Sequence, residues 1–295
     1  MINKKKFRKQ IVIGTAQLTT NYGIANLKKK NKKKTIFEFL NHCTSKGFNT
    51  FDTAQDYINE KVLGEFIKKK KFKKKIKIIS KISSLKLIGK NKKLKFIDNS
   101  IKKSIKDLNY DIDTILFHDQ RDIKFVIKNF KKIKQIVFNN NINRIGFSIY
   151  DLKFYKIIKT NFKKEKIIIQ LPCNIFNDEF AKLNYPKNFE IHARSIFLQG
   201  FLINKKIKKN IKRKYYLIHK KYFSYIEKHS LDPYHLCLEI LKYKKFSKVV
   251  IGFDNINQVN FLFNKKFTNS SLHNHILNLK KNFLGSSFED PRKWA

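Results

Sequence analysis

The stretch Phe48-Asn49-Thr50-Phe51-Asp52-Thr53-Ala54-Gln55-Asp56-Tyr57 decides how this chain is read. An apolar run over 48–51 breaks off at a carboxylate, and a tyrosine follows five residues later. Beyond it, Glu60-Lys61-Val62-Leu63-Gly64-Glu65-Phe66-Ile67 carries apolar residues at helical spacing, so the order is strand, polar loop, helix. In a barrel of such units, polar residues at the carboxyl end of each strand face the active site. A strand-end Asp is more often a helix cap or turn former, and a loop Tyr more often packing. The stretch therefore gains meaning only if other strands end in the same way.

Working outward, short apolar runs recur at 10–14, 48–51, 76–79, 112–117, 144–147, 167–169, 189–193 and 248–251. Helical patterns fill most intervals, as at 35–40, 96–108, 123–138 and 152–158, and the long interval 194–248 holds two, 211–229 and 233–242. Eight alternating strand–helix units predict an α/β fold, the (β/α)8 TIM barrel, formed by residues 1–295 as one domain. An extra C-terminal helix is expected over 271–283. Lysine clusters at 28–34, 68–77, 90–95, 128–134 and 205–214 fall in the helices and their flanks. Their interruption by Ile and Phe predicts amphipathic helices with solvated outer faces.

The strand ends then stand together. They are Gly14-Thr15, Asp52, Ser80-Lys81, His118-Asp119, Ser148, Gln170, Arg194 and Gly252. Asp, Lys and His on neighbouring strands, with Tyr57 in the adjoining loop, suit proton donation to a developing alkoxide. A lysine ammonium next to the phenol is expected to lower its pKa from the ordinary value near 10. Asp52 is expected to pair with Lys81, and His118 to orient the substrate oxygen. No strand-end nucleophile with an adjacent base is evident, and no His/Asp/Glu set has metal spacing. A carbonyl that takes only a proton from the protein receives its hydride elsewhere, which implies a nicotinamide cofactor.

Composition narrows the partners. The net charge is +44, yet only six of the 66 basic residues are Arg, the residue favoured for base and phosphate forks. Lys, Asn, Ile and Phe are enriched together and share A/T-rich codons, so genome bias explains the charge without a specific nucleic-acid partner. A polyanion-binding role is the weaker reading of the same charge. No apolar run reaches the roughly 18 residues of a membrane span, and 11–14 is too short for a signal core, which predicts a cytoplasmic protein with no membrane partner. Cys43, Cys173 and Cys237 are widely spaced and read as small buried thiols.

These residues resemble one family over nearly the whole chain, the aldo-keto reductases. Asp52-Thr53-Ala54-Gln55-Asp56-Tyr57, then Lys81, then His118 are similar to its Asp, Tyr, Lys, His tetrad in order and spacing. Gly14-Thr15-Ala16-Gln17, Gly146-Phe147-Ser148 and Gln170-Leu171-Pro172-Cys173-Asn174 resemble further strands of it. Ala193-Arg194-Ser195-Ile196-Phe197-Leu198-Gln199-Gly200, Val250-Ile251-Gly252-Phe253-Asp254-Asn255 and Asp290-Pro291-Arg292-Lys293-Trp294 resemble a branch often placed in surface-polysaccharide or nucleotide-sugar pathways.

The resemblance implies NAD(P)H-dependent reduction of an aldehyde or ketone, sugar-like in that branch, with Tyr57 as acid and Asp52, Lys81 and His118 around it. Cofactor contacts are expected from Gly14, Thr15, Ser148, Gln170, Asn174, Arg194, Ser195, Gln199, Gly200, Gly252, Asp254 and Asn255. NADPH is the expected cofactor, with NADH admitted because Asp254 stands where many members place Arg or Lys. A small-molecule carbonyl substrate and a monomer or homodimer are expected. Two departures stand out: Tyr57-Ile58-Asn59-Glu60 is shorter than usual and lacks Gly, and Ile149 replaces Asn after the fifth-strand Ser. They keep open an alternative, a non-catalytic cofactor-binding or scaffold barrel.

Overall fold

Eight parallel strands close on themselves in chain order, each hydrogen-bonded to the next and β8 to β1. This computed structural model describes residues 8–19, 22–24, 32–70, 72, 75–208, 211–243, 245–264, 272–283 and 287–294. The strands are β1 Ile11–Gly14, β2 Thr50–Asp52, β3 Lys77–Ile82, β4 Thr114–Phe117, β5 Arg144–Ser148, β6 Ile167–Pro172, β7 Phe189–Arg194 and β8 Lys248–Gly252. Helices cross between them, and Leu272–Asn282 follows as the extra C-terminal helix. The (β/α)8 barrel expected from the sequence is the fold found.

Parallel pairing puts registered residues on one face, which explains two apolar clusters. Outward-facing strand residues such as Ile13, Phe51, Ile78, Ile115 and Phe147 pack against the helices in the large core. Inside the barrel a small separate cluster forms from Val12, Ile79, Leu116, Ile168 and Val250. Gly146 sits in that inner layer, registered with Leu116 on one side and Ile168 on the other. A Cβ there would overlap the Ile168 carbonyl, so the close strand approach requires glycine. Above this layer the interior turns polar, and the site begins.

The strands run further than their apolar runs. Asp52, Ser148, Gln170, Arg194 and Gly252 are still strand-paired, and Lys81 lies inside β3. Ladder hydrogen bonds use only the backbone, so pairing continues past the point where inward side chains become polar. The helix expected over 123–138 is two, Ile123–Lys128 and Phe130–Asn139, broken at Asn129. The Asn129 side chain donates to the Phe125 carbonyl and competes with the helix's own ladder. Pro233–Leu238 starts at Asp232, whose carboxylate accepts from Tyr234 N and His235 N, and tightens into a 3₁₀ turn over Glu239–Lys242.

The outer surface is basic as expected. Among the described residues Lys81 is the buried lysine, and the rest are exposed or half-buried. The three cysteines are buried and free, and burial raises each thiol pKa. No described helix is long and apolar enough to cross a membrane. Most of the expected lysine run over 28–34 lies outside the described residues.

Candidate active site

At the carboxyl end of the barrel Lys81 reaches across from β3 to β2. Its Nζ donates to Asp52 Oδ1 at 2.5 Å and to the Thr53 carbonyl at 2.9 Å. Gln170 Nε2, from β6, donates to the other carboxylate oxygen at 2.8 Å. Asp52 and Lys81 are 3% and 1% exposed, so this is a desolvated ion pair with its remaining lone pairs occupied. Burial pushes the Lys81 ammonium below the usual lysine range, and Asp52 opposes that.

Tyr57 sits over this pair in a 3₁₀ turn, Gln55–Tyr57, with Lys81 Nζ 5.1 Å from its ring centroid. The expected lowering of its pKa is not found. Burial and the Asp52 carboxylate raise it above the ordinary tyrosine value, and the cation that works against them is Arg194. Lys81 is already neutralised by Asp52, which removes much of its pull on the phenol. Tyr57 is therefore a firmly protonated acid.

His118 packs edge-on to Tyr57 with ring centroids 5.8 Å apart. Its Nδ1 lies 2.9 Å from Asp56 Oδ2, and Ser83 Oγ donates to the other Asp56 oxygen. A carboxylate held below the usual Asp range, first by this hydrogen bond, can only accept, so Nδ1 carries the proton. Nε2 remains as the nitrogen free for a ligand.

The loop carrying Tyr57 is short and strained. Ile58, 81% exposed, holds φ 55° in the left-handed region that β-branched residues avoid. Asn59 anchors the loop from below. Its Nδ2 donates to the Thr15 carbonyl at 2.6 Å, and its Oδ1 accepts from Thr53 Oγ1 at 2.7 Å. Thr19 Oγ1 donates to the Tyr57 carbonyl from the first loop. The missing glycine is thus compensated by a buried amide that ties the loop to β1 and β2.

A cavity opens beside Tyr57. It is lined by Gly14, Gln17, Tyr22, Gly23, Asp52, Gln170, Arg194, Ser195, Gln199, Gly200, Gly252 and Asp254, among others. Ten of the residues expected at the site line it, counting Tyr57 with nine of those just named. Its β7 loop is conformationally unusual, with Ser195, Leu198 and Gln199 at φ 60°, 47° and 55°. Such backbone clusters at functional loops. Gly252 allows close approach, because a Cβ there would overlap the Gln17 amide.

Four expected cofactor residues stand elsewhere. Asn174 is fully buried and its Oδ1 accepts from Phe176 N and Asn177 N, closing its own turn. Asn255 Oδ1 accepts from Gln258 N at the start of Ile256–Asn264. Thr15 is fully buried, its hydroxyl on the Asp52 carbonyl. Ser148 is buried beside Gln170 in register.

Residues not anticipated are Asn59, Asp56, Gln17, Tyr22, Tyr150 and Arg292. Tyr150 follows β5, and the guanidinium carbons of Arg194 and Arg292 lie 4.0 and 4.4 Å from its ring centroid. Gln120 Oε1 accepts from Tyr150 N and Asp151 N. Arg292 reaches in from the Asp290–Trp294 turn, which Trp294 seats against Phe201. Asp56, Gln17 and Arg292 lie inside quoted motifs and Tyr150 two residues beyond one, but only the folded loops show what they touch.

Comparison with known proteins gives the family and the fold. The model of the aldo/keto reductase family matches residues 10–270, and the chain belongs to that family. Sequence comparison with curated proteins gives no match. Among solved structures, the fold is similar to aldo-keto reductase AKR11C1 from Bacillus halodurans, in its holo form, at 19% identity, with 95% of each chain covered and a TM-score of 0.70. It is similar to the glycerol dehydrogenase AKR11B4 from Gluconobacter oxydans at 14% identity, covering 93% of this chain and 92% of that one, TM-score 0.65. MGS-M4, an aldo-keto reductase from a Medee basin deep-sea metagenome library, is similar at 16% identity over 91% and 90%, TM-score 0.62. Family membership supports an oxidoreductase acting on carbonyl compounds.

Proposed function

We propose that the protein is an NAD(P)H-dependent reductase that converts an aldehyde or ketone to an alcohol, with Tyr57 as proton donor. The observation that carries this reading is Tyr57 held protonated on the cavity wall, above the buried Lys81–Asp52 pair and against His118. A nicotinamide cofactor supplies the hydride when bound.

The residues present fit such a group. Gly14, Gly23, Gly200 and Gly252 bring backbone to the cavity surface, and the β7 loop adds Ser195 and Gln199. Gln170 lines the same cavity from β6, with Ser148 buried beside it at the end of β5. Asp254 lines the rim and accepts from Gln258 Nε2, a carboxylate that would repel a 2′-phosphate bound beside it. The preference between NADPH and NADH turns on that side chain.

As charge develops on the substrate oxygen, Tyr57 gives up its hydroxyl proton to it. The phenolate left behind is stabilised chiefly by Arg194, with the Asp52-paired Lys81 ammonium 5.1 Å from the ring. Asp52, Gln170 and the Thr53 carbonyl hold Lys81 in place. With its Nδ1 held by Asp56, His118 turns Nε2 toward the cavity side of Tyr57, where it orients the substrate oxygen.

Replacement of Tyr57 by Phe tests the assignment without disturbing the ion pair. Turnover is expected to fall by roughly 10²–10⁴-fold with cofactor affinity retained. Unchanged turnover would refute Tyr57 as the acid. Asp52 and Lys81 variants serve less well, because breaking a buried pair costs about 3–5 kcal/mol of stability.

A further inference from the structure

The cavity contains a cation that no carboxylate neutralises. Arg194 ends β7 and lines the cavity together with Tyr57. Its Nη2 donates to the Ile149 carbonyl at 3.0 Å and its Nη1 meets Ser195 Oγ at 3.1 Å, both neutral groups. Elsewhere the chain's scarce carboxylates are placed on guanidinium groups: Asp119 on Arg121, Glu190 on Arg144, and Asp151 with Asp290 on Arg292. Among the described residues none is within ion-pairing distance of Arg194.

The fork is also fixed in direction. It lies 4.0 Å from the Tyr150 centroid, and Tyr150 is in turn held by Gln120 and by the second guanidinium, Arg292. A guanidinium carries five N–H donors in one plane, and two neutral acceptors leave donors of that fork available. A rigid, half-buried, unpaired Arg matches a planar or tetrahedral oxyanion bidentately. Arg194 leans toward Ile149 and Tyr150 beyond β5, whereas the glycine-lined wall includes Gly252 of β8 and Gly14 of β1.

We propose that Arg194 binds an anionic group on the substrate, so that the carbonyl compound reduced here carries a carboxylate or phosphate gripped while its carbonyl meets Tyr57. This rests on the reductase reading above. The oxyanion takes no part in bond making: the hydride comes from the nicotinamide and the proton from Tyr57. A phosphate of the cofactor has the same chemistry, and the experiment separates the two.

Benzoate and benzamide are titrated calorimetrically into the 295-residue chain at about 0.15 M salt, where long-range pull from surface lysines is screened. Wild type, Arg194→Gln and Arg194→Lys are compared, with NADPH and NADH affinities measured for each. The steady-state preference for 4-carboxybenzaldehyde over benzaldehyde is measured alongside. Wild type is expected to bind benzoate about tenfold or more tighter than benzamide, and to prefer the carboxylated aldehyde by a similar factor. Arg194→Gln should abolish both preferences, and Arg194→Lys, which keeps charge but not the fork, should retain part of each.

Benzoate binding that survives Arg194→Gln would assign it to the lysine surface and overturn the proposal. So would a loss of cofactor affinity as large as the loss of benzoate affinity, which would assign the fork to a cofactor phosphate. Arg194-dependent benzoate binding with neither aldehyde reduced would leave the anion site standing and remove the reductase reading. Thermal midpoints of both variants identify any loss that is merely unfolding, and the Lys variant then decides.

Discussion

Ile58 carries backbone strain directly after the proposed acid. Its left-handed conformation costs roughly 1–2 kcal/mol for a residue with a Cβ, and its exposed side chain gains nothing from packing. Glycine removes the strain but loses more chain entropy on folding, by roughly 0.5–1 kcal/mol. Ile58→Gly is therefore expected to stabilise the protein by up to about 1 kcal/mol, read as a raised urea midpoint at unchanged m-value. A lowered midpoint would mean that the loop depends on the isoleucine. The sequence revealed this position as a departure from the usual glycine, but not its remedy. Asn59 looks like an ordinary polar loop residue until the fold brings Thr15 and Thr53 to its amide. The four proposed catalytic types were legible because strand ends must converge in a barrel. The pKa of Tyr57 was not, because it depends on how completely Asp52 neutralises Lys81.

At the scale of the element, β7 carries chemistry at both ends. Arg194 faces the cavity, while Glu190 points into the barrel near its opposite end, where it pairs with Arg144 and with His192. The His192 hydrogen bond, before any other cause, holds the Glu190 carboxyl down at about 2. Burial pushes His192 itself below its usual range, so the neutral ring donates through Nε2. A depressed carboxyl pKa contributes stability that is complete above the unfolded value near 4.3 and lost as pH falls toward 2. Glu190→Gln should lower the urea midpoint at pH 7, and the gap from wild type should shrink below about pH 4.3 and close only as pH falls through about 2. A gap independent of pH would contradict the coupling. Strand identities were readable from apolar runs, yet not strand lengths, because pairing outlasts apolarity at Gln170 and Arg194. The break at Asn129 escaped periodicity for a related reason: a side chain competed for a backbone carbonyl.

The whole molecule sets a family fold inside an extreme charge. A net charge of +44 repels itself and attracts any polyanion, and both effects fade beyond a Debye length of about 8 Å at physiological salt. The described lysines other than Lys81 lie on the outside, whereas inside the proposed site Lys81 is compensated by Asp52. Cofactor binding and nonspecific charge binding should therefore respond differently to salt. The most direct test is titration of NADPH and NADH against quenching of the single tryptophan, Trp294, and the tyrosines at about 0.05, 0.15 and 0.5 M salt. Saturable binding of one cofactor at a single site, with affinity largely retained at the highest salt, is the expected result. Binding of both that collapses with salt, or no binding, would contradict the reductase account and leave a barrel that has kept the tetrad without its chemistry.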